Sequence, residues 1–140
     1  MKIMHLLVAI AVPALVAGCG KDGNQPAFAE LHPVKGVVKR GGQPVKAGMV
    51  RFFPDPDKPD FIINSLVQSD GTFTLTTVRS TDSKGERKPG APAGNYKVTY
   101  MPDALDQTGG GSTEPIPILK PVTVTAGAKE IVLELPTGKK

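Results

Sequence analysis

Side chains able to do chemistry are few in this chain and widely spaced: one thiol, Cys19; two imidazoles, His5 and His32; and one close run of carboxylates, Asp55, Asp57 and Asp60. Hydrolysis needs a nucleophile or an activated water with a base beside it, and imidazole is the usual base near neutral pH. His5 lies in an apolar leader and leaves with it, and His32, directly before Pro33, is expected as a solvated linker residue. The run Asp55-Pro56-Asp57-Lys58-Pro59-Asp60 offers carboxylate oxygens of the kind calcium takes. It lacks the glycine and the bidentate glutamate of an EF-hand loop, however, and Lys58 sits in its midst. A solvated acidic turn is expected there, and the residues predict no metal, no cofactor and no catalytic site. A single cysteine excludes an internal disulfide, so the setting of Cys19 decides what that thiol does.

Residues 1–18 have the three parts of a secretory leader: a basic start at Lys2, an apolar run from about Leu6 to Ala17, and small residues before a cut. The run is shorter than the ~20 apolar residues a membrane-spanning helix needs, and Pro13 interrupts it. Its end, Val16-Ala17-Gly18-Cys19, resembles the lipobox of bacterial lipoproteins. That resemblance implies cleavage before Cys19 and attack of its sulfur on a lipid donor, giving a thioether to diacylglycerol. The small residues let the backbone enter the peptidase, and the new amino group is often acylated as well. Gly20 stands where an aspartate commonly retains lipoproteins at the inner membrane, so the outer membrane is favoured. The alternative is an ordinary leader cut after Ala17 or Gly18, leaving a free thiol outside the cell.

Residues 19–33 begin with the polar, glycine-containing stretch Gly20-Lys21-Asp22-Gly23-Asn24-Gln25-Pro26 and are expected to form a flexible tether. About 120 residues remain after the leader, enough for one domain and too few for two. Removal of Lys2 lowers the 17 basic residues by one against 13 acidic. The remaining cations are scattered, the densest pairs being Lys39-Arg40, Arg87-Lys88 and Lys139-Lys140. A nucleic-acid binder would carry a basic stripe with interleaved aromatics, so no nucleic acid is expected as a partner.

Gly 16 and Pro 14 favour short strands joined by turns over helices. From Val34 the apolar residues recur with period two: Val34, Gly36 and Val38; Val50 and Phe52; Phe73 and Leu75; Tyr96, Val98 and Tyr100; Val122 and Val124; Ile131, Leu133 and Leu135. Gly41-Gly42 and Ala126-Gly127 supply turns, and Ser69-Asp70-Gly71 reads as a hairpin turn. The expected body is all-β, an antiparallel β-sandwich of about seven strands over residues 34–136, followed by a polar tail at 137–140. A closed barrel is the runner-up.

Three segments carry a further resemblance. Val34 to Phe53 reads V-x-G-x-V-x-x-x-G-x-P-V followed by V-x-F, Asp70 to Leu75 reads D-G-x-F-x-L, and Pro92 to Val98 reads P-A-G-x-Y-x-V. Together they are similar to the carboxypeptidase regulatory-like domain of the transthyretin-like superfamily, which implies a prealbumin-like sandwich and says little about role. The superfamily includes hydroxyisourate hydrolase, whose pocket uses histidines, an arginine and a C-terminal tyrosine-containing motif. This chain ends Leu135-Pro136-Thr137-Gly138-Lys139-Lys140 and lacks those parts.

Two stretches, 80–94 and 103–117, are read as long loops available for contacts. The expected role is a noncatalytic interaction or structural module, anchored in the membrane through Cys19 and meeting an envelope protein. A carbohydrate-binding module of the cell envelope is the alternative, and a small hydrolase the remote one.

Overall fold

A computed structural model describes residues 25–103 and 113–137. Val16, Ala17, Gly18, Cys19 and Gly20 therefore lie outside the described residues, as do 104–112 of the second long loop and 138–140 of the tail. The strands in chain order are β1 (Leu31–His32), β2 (Val34–Arg40), β3 (Gln43–Pro44), β4 (Met49–Asp55), β5 (Phe61–Leu66), β6 (Thr72–Thr74) and β7 (Thr76–Arg79), then β8 (Arg87–Pro89), β9 (Ala91–Pro92), β10 (Gly94–Met101), β11 (Ile116–Val124) and β12 (Lys129–Leu135).

A six-stranded sheet runs β11-β10-β4-β5-β7-β8. A four-stranded sheet has β12 on one side of β2 and both β3 and β6 on the other, while β1 and β9 form a separate two-stranded ribbon. The two larger sheets bury one shared core, so the molecule is an all-β sandwich. Each inward row expected from period two is buried: Val34 and Val38, Val50 and Phe52, Phe73 and Leu75, Tyr96 to Tyr100, Val122 and Val124, Ile131 to Leu135. Burying a side chain of this size contributes roughly 1.5–3 kcal/mol. The aromatic rings tie the layers together, with Phe52 6.1 Å from Phe73 across the sandwich and 5.8 Å from Tyr96 beside it.

Gly36 makes the Phe73 contact possible. A Cβ at residue 36 would stand 2.5 Å from Phe73 Cζ and 2.3 Å from the Ile131 carbonyl oxygen, so the ring fills the place of the missing side chain. Tyr96 anchors the start of β10: its hydroxyl donates to the Pro92 carbonyl at 2.6 Å, a tie back to backbone just upstream of the kind that fixes sandwich corners. Burial pushes the Tyr96 phenol up to about 12.

Four features depart from the sequence reading. Short strands raise the count from about seven to twelve, five of them only two or three residues long. The stretch Thr72–Thr76, expected as one strand, divides at Leu75: β6 joins the four-stranded sheet, while β7 joins the six-stranded one. Consequently Ser69-Asp70-Gly71 does not close a hairpin between β5 and β6. It carries the chain from one sheet to the other, and β6 pairs with β2 (Gly36 opposite Phe73). One pair, β2 with β12, is parallel, because the chain reaches β12 through the opposite sheet and not through a tight turn. Finally, the 80–94 stretch contains β8 and β9, whose proline and charge content hides them from a hydrophobic pattern.

Candidate functional site

The described chain begins already bound to the body. Gln25 and Thr81 exchange hydrogen bonds: the amide Nε2 donates to the Thr81 carbonyl at 3.3 Å, and the Thr81 hydroxyl donates to Oε1 at 3.1 Å. Arg79 Nε donates to the Pro26 carbonyl at 2.8 Å. The Phe28 ring lies 4.2 Å from the Arg79 guanidinium carbon and 4.6 Å from the Lys88 ammonium, with Phe61 at 5.6 Å. Two cations against one ring are attracted by its quadrupole, and the backbone bond from Arg79 holds the strap in register. The described part of the expected tether, residues 25–33, is thus laid along β7, β8 and β5.

His32 was expected in solvent and is instead buried at 9% exposure, paired in β1 with Ala91 of β9. Gly90 permits that approach: at φ +100° it stands so close that a Cβ would be 2.5 Å from the His32 carbonyl oxygen. Asp55 pairs with Lys97 at 3.3 Å, and Asp57 and Asp60 are exposed. Among the described residues no three His, Cys, Asp or Glu side chains come together as a metal set.

The two long flanks of the sandwich, where the sheets meet edge to edge, differ in how they end. Between β5 and β6 lies a recess of about 560 Å³ whose lining is mainly apolar surface, Met49, Leu66 and Phe73 among it, with hydroxyl and amide groups of Asn64, Gln68 and Thr76 and with Arg87 in its wall. Its strand edge is closed by side chains. Ser65 Oγ accepts from the Thr74 backbone amide at 3.1 Å, and within the turn the Gln68 backbone N–H donates to the Thr72 carbonyl at 2.8 Å. Arg87 Nη1 donates to Asn64 Oδ1 at 3.1 Å and to the Thr76 hydroxyl at 3.2 Å. Asp70 accepts from the Thr72 hydroxyl at 2.6 Å and from the Thr72 amide at 2.9 Å. Those bonds to the charged form, the hydroxyl first, hold its carboxyl below the usual carboxylate range.

No family model matches this chain, and neither does any curated protein or solved structure. What it can do must therefore be read from its own surfaces.

The opposite flank, between β11 and β12, holds a cleft of about 550 Å³ floored by Ile118, Val122, Ile131 and Leu133 and bordered by Lys120 and Lys129. On the β11 side, Pro117 and Pro121 remove two amide donors, and the register shifts between Tyr96 and Val98 of its partner β10. Leu119 stands out at 85% exposure. On the β12 side there is neither proline nor bulge, and β12 pairs in order with β2 from Lys129 opposite Val34 to Leu135 opposite Arg40. Among the described residues no strand pairs with the other edge of β12.

The Lys129 amide donates to the Pro33 carbonyl at 3.1 Å, so its polar groups face β2. Alternation then turns the N–H and C=O groups of Glu130, Val132 and Glu134 toward the open side. Their side chains are exposed as well. Sequence reasoning found the inward row of β12 but not this edge, because edge status depends on which strand fails to arrive.

Proposed function

We propose that this chain is a bacterial lipoprotein of the cell envelope, anchored through lipid on Cys19, whose sandwich is a noncatalytic interaction module of the carboxypeptidase regulatory-like kind. The observation that carries the reading is Val16-Ala17-Gly18-Cys19 at the end of an apolar leader, in a chain with no other cysteine. At about 0.8 kcal/mol per buried methylene, two or three acyl chains hold a protein in a bilayer where one is marginal. A cytosol-facing role would leave the leader without a purpose, and Gly20 favours the outer membrane where the cell has one. The sandwich fold and the open flank at β12 are compatible with a body that presents surface to an envelope partner.

Metabolic labelling with a fatty acid tests the anchor. Cys19→Ser is expected to abolish incorporation and to leave uncleaved precursor in the membrane fraction, whereas unchanged labelling would remove the assignment.

The recess between β5 and β6 favours a second reading, a polysaccharide contact, because amide, hydroxyl and guanidinium groups are what sugar hydroxyls bond to. Retention of the full chain on immobilised envelope polysaccharide, lost on Arg87→Ala, would support that reading; equal retention of both proteins would count against it.

A further inference from the structure

We propose that the open edge of β12 is a docking site for an extended segment of another protein, which adds to the four-stranded sheet as a further strand and carries basic residues four apart. The inference deepens the interaction-module reading and rests on it for the existence of a partner. Three observations lead to it.

First, among the described residues no strand pairs with the outward backbone donors and acceptors of Glu130, Val132 and Glu134, which stand along one line, and an unpaired, proline-free edge is a template for another strand. Second, the adjoining cleft floored by Ile118 and Val122 gives the inward side chains of an added strand an apolar place to go. Third, the charges on the exposed face specify the occupant. β12 already meets one strand of complementary pattern: Lys35 stands opposite Glu130, Val37 opposite Val132 and Lys39 opposite Glu134. A strand on the free side meets the same two glutamates, and opposite charges directly across a ladder stabilise it while like charges oppose it. Lys120 and Lys129 border the inner side of the cleft, so the cations of the incoming strand must point outward. A second copy of this chain fits poorly, since the longest self-pairing, centred on Val132, sets Glu130 against Glu134 twice.

The test uses the full chain in detergent and two capped, fluorescein-labelled peptides, one copying residues 34–40 and one with glutamate in place of its three basic residues. The basic peptide is expected to bind at low salt, more weakly as salt rises, and to slow amide hydrogen exchange at Lys129–Leu135. Combining Glu130→Lys with Glu134→Lys should weaken the basic peptide and strengthen the acidic one, each by about tenfold. That gain also shows that the variant is folded.

Protection elsewhere, equal binding of both peptides, or binding unmoved by the charge reversal would overturn the proposal. Failure of the basic peptide to protect β12 would do the same, as would self-association that protects β12 without peptide. None of these outcomes touches the fatty-acid labelling result, so a failure here is separable from failure of the anchor.

Discussion

The flank between β5 and β6 and the flank between β11 and β12 solve the same problem differently. Any two-sheet sandwich leaves strand edges that invite unwanted pairing. At β6 the edge is three residues long, and the Ser65 hydroxyl takes the Thr74 amide that would otherwise point into water. At β11 prolines do the same work by deleting donors. β12 has seven residues, regular pairing on one side, and only two glutamates for protection on the other. Charge on an edge discourages copies of the same edge while admitting strands of opposite sign. A closed flank and an open one in the same small body fit the docking proposed at β12, which uniform closure would not.

Substitutions can break or sharpen that contrast. The largest effect is expected at the closed flank, where Phe73 covers Gly36 and touches Phe52. Phe73→Ala should lower stability by about 3–5 kcal/mol, read from the urea midpoint, because no Cβ at residue 36 stands ready to fill the cavity. Ser65→Ala should cost about 0.5–1 kcal/mol and speed amide exchange at Thr74, since water replaces the lost hydroxyl in part. On the open flank Val132→Ala should change stability by less than about 0.5 kcal/mol, because that side chain is 61% exposed and packs against nothing in the core. A Val132 effect as large as that at Phe73 would mean that β12 is covered in the free protein, and the contrast would fail.

What the sequence made legible was local. Period-two burial depends on neighbours two residues apart, so Tyr96, Val98 and Tyr100, or Ile131, Leu133 and Leu135, could be assigned to the inside without knowing what they pack against. Pairing is a different kind of information. The turn at Asp70-Gly71 has the residues of a hairpin, yet β6 goes to β2, far back in the chain, because Phe73 fits over Gly36 and no local rule records that fit.

His32 was misjudged for the same reason: Leu31 and His32 gain a partner only when Ala91 and Pro92 arrive from the far side of β7 and β8. Phe28 carries no signal in the sequence, because only the placement of Arg79 and Lys88 turns it into a contact. Cys19 is proposed from sequence alone, since a lipobox is read by enzymes before any fold exists, and it lies outside the described residues.

Under the proposed anchor at Cys19, the strap at Gln25, Pro26 and Phe28 has a mechanical consequence. A slack line of fifteen residues would let the body roam through roughly 50 Å, whereas the six residues from Cys19 to Gln25 extend at most about 20 Å. The end bearing the Asp55–Asp60 turn would then ride low over the bilayer, with the Gly41-Gly42 turn uppermost. β12, which starts beside Pro33 and climbs toward Leu135, would face sideways. Such a mounting would offer its open edge to neighbours standing in the same membrane, at the same height.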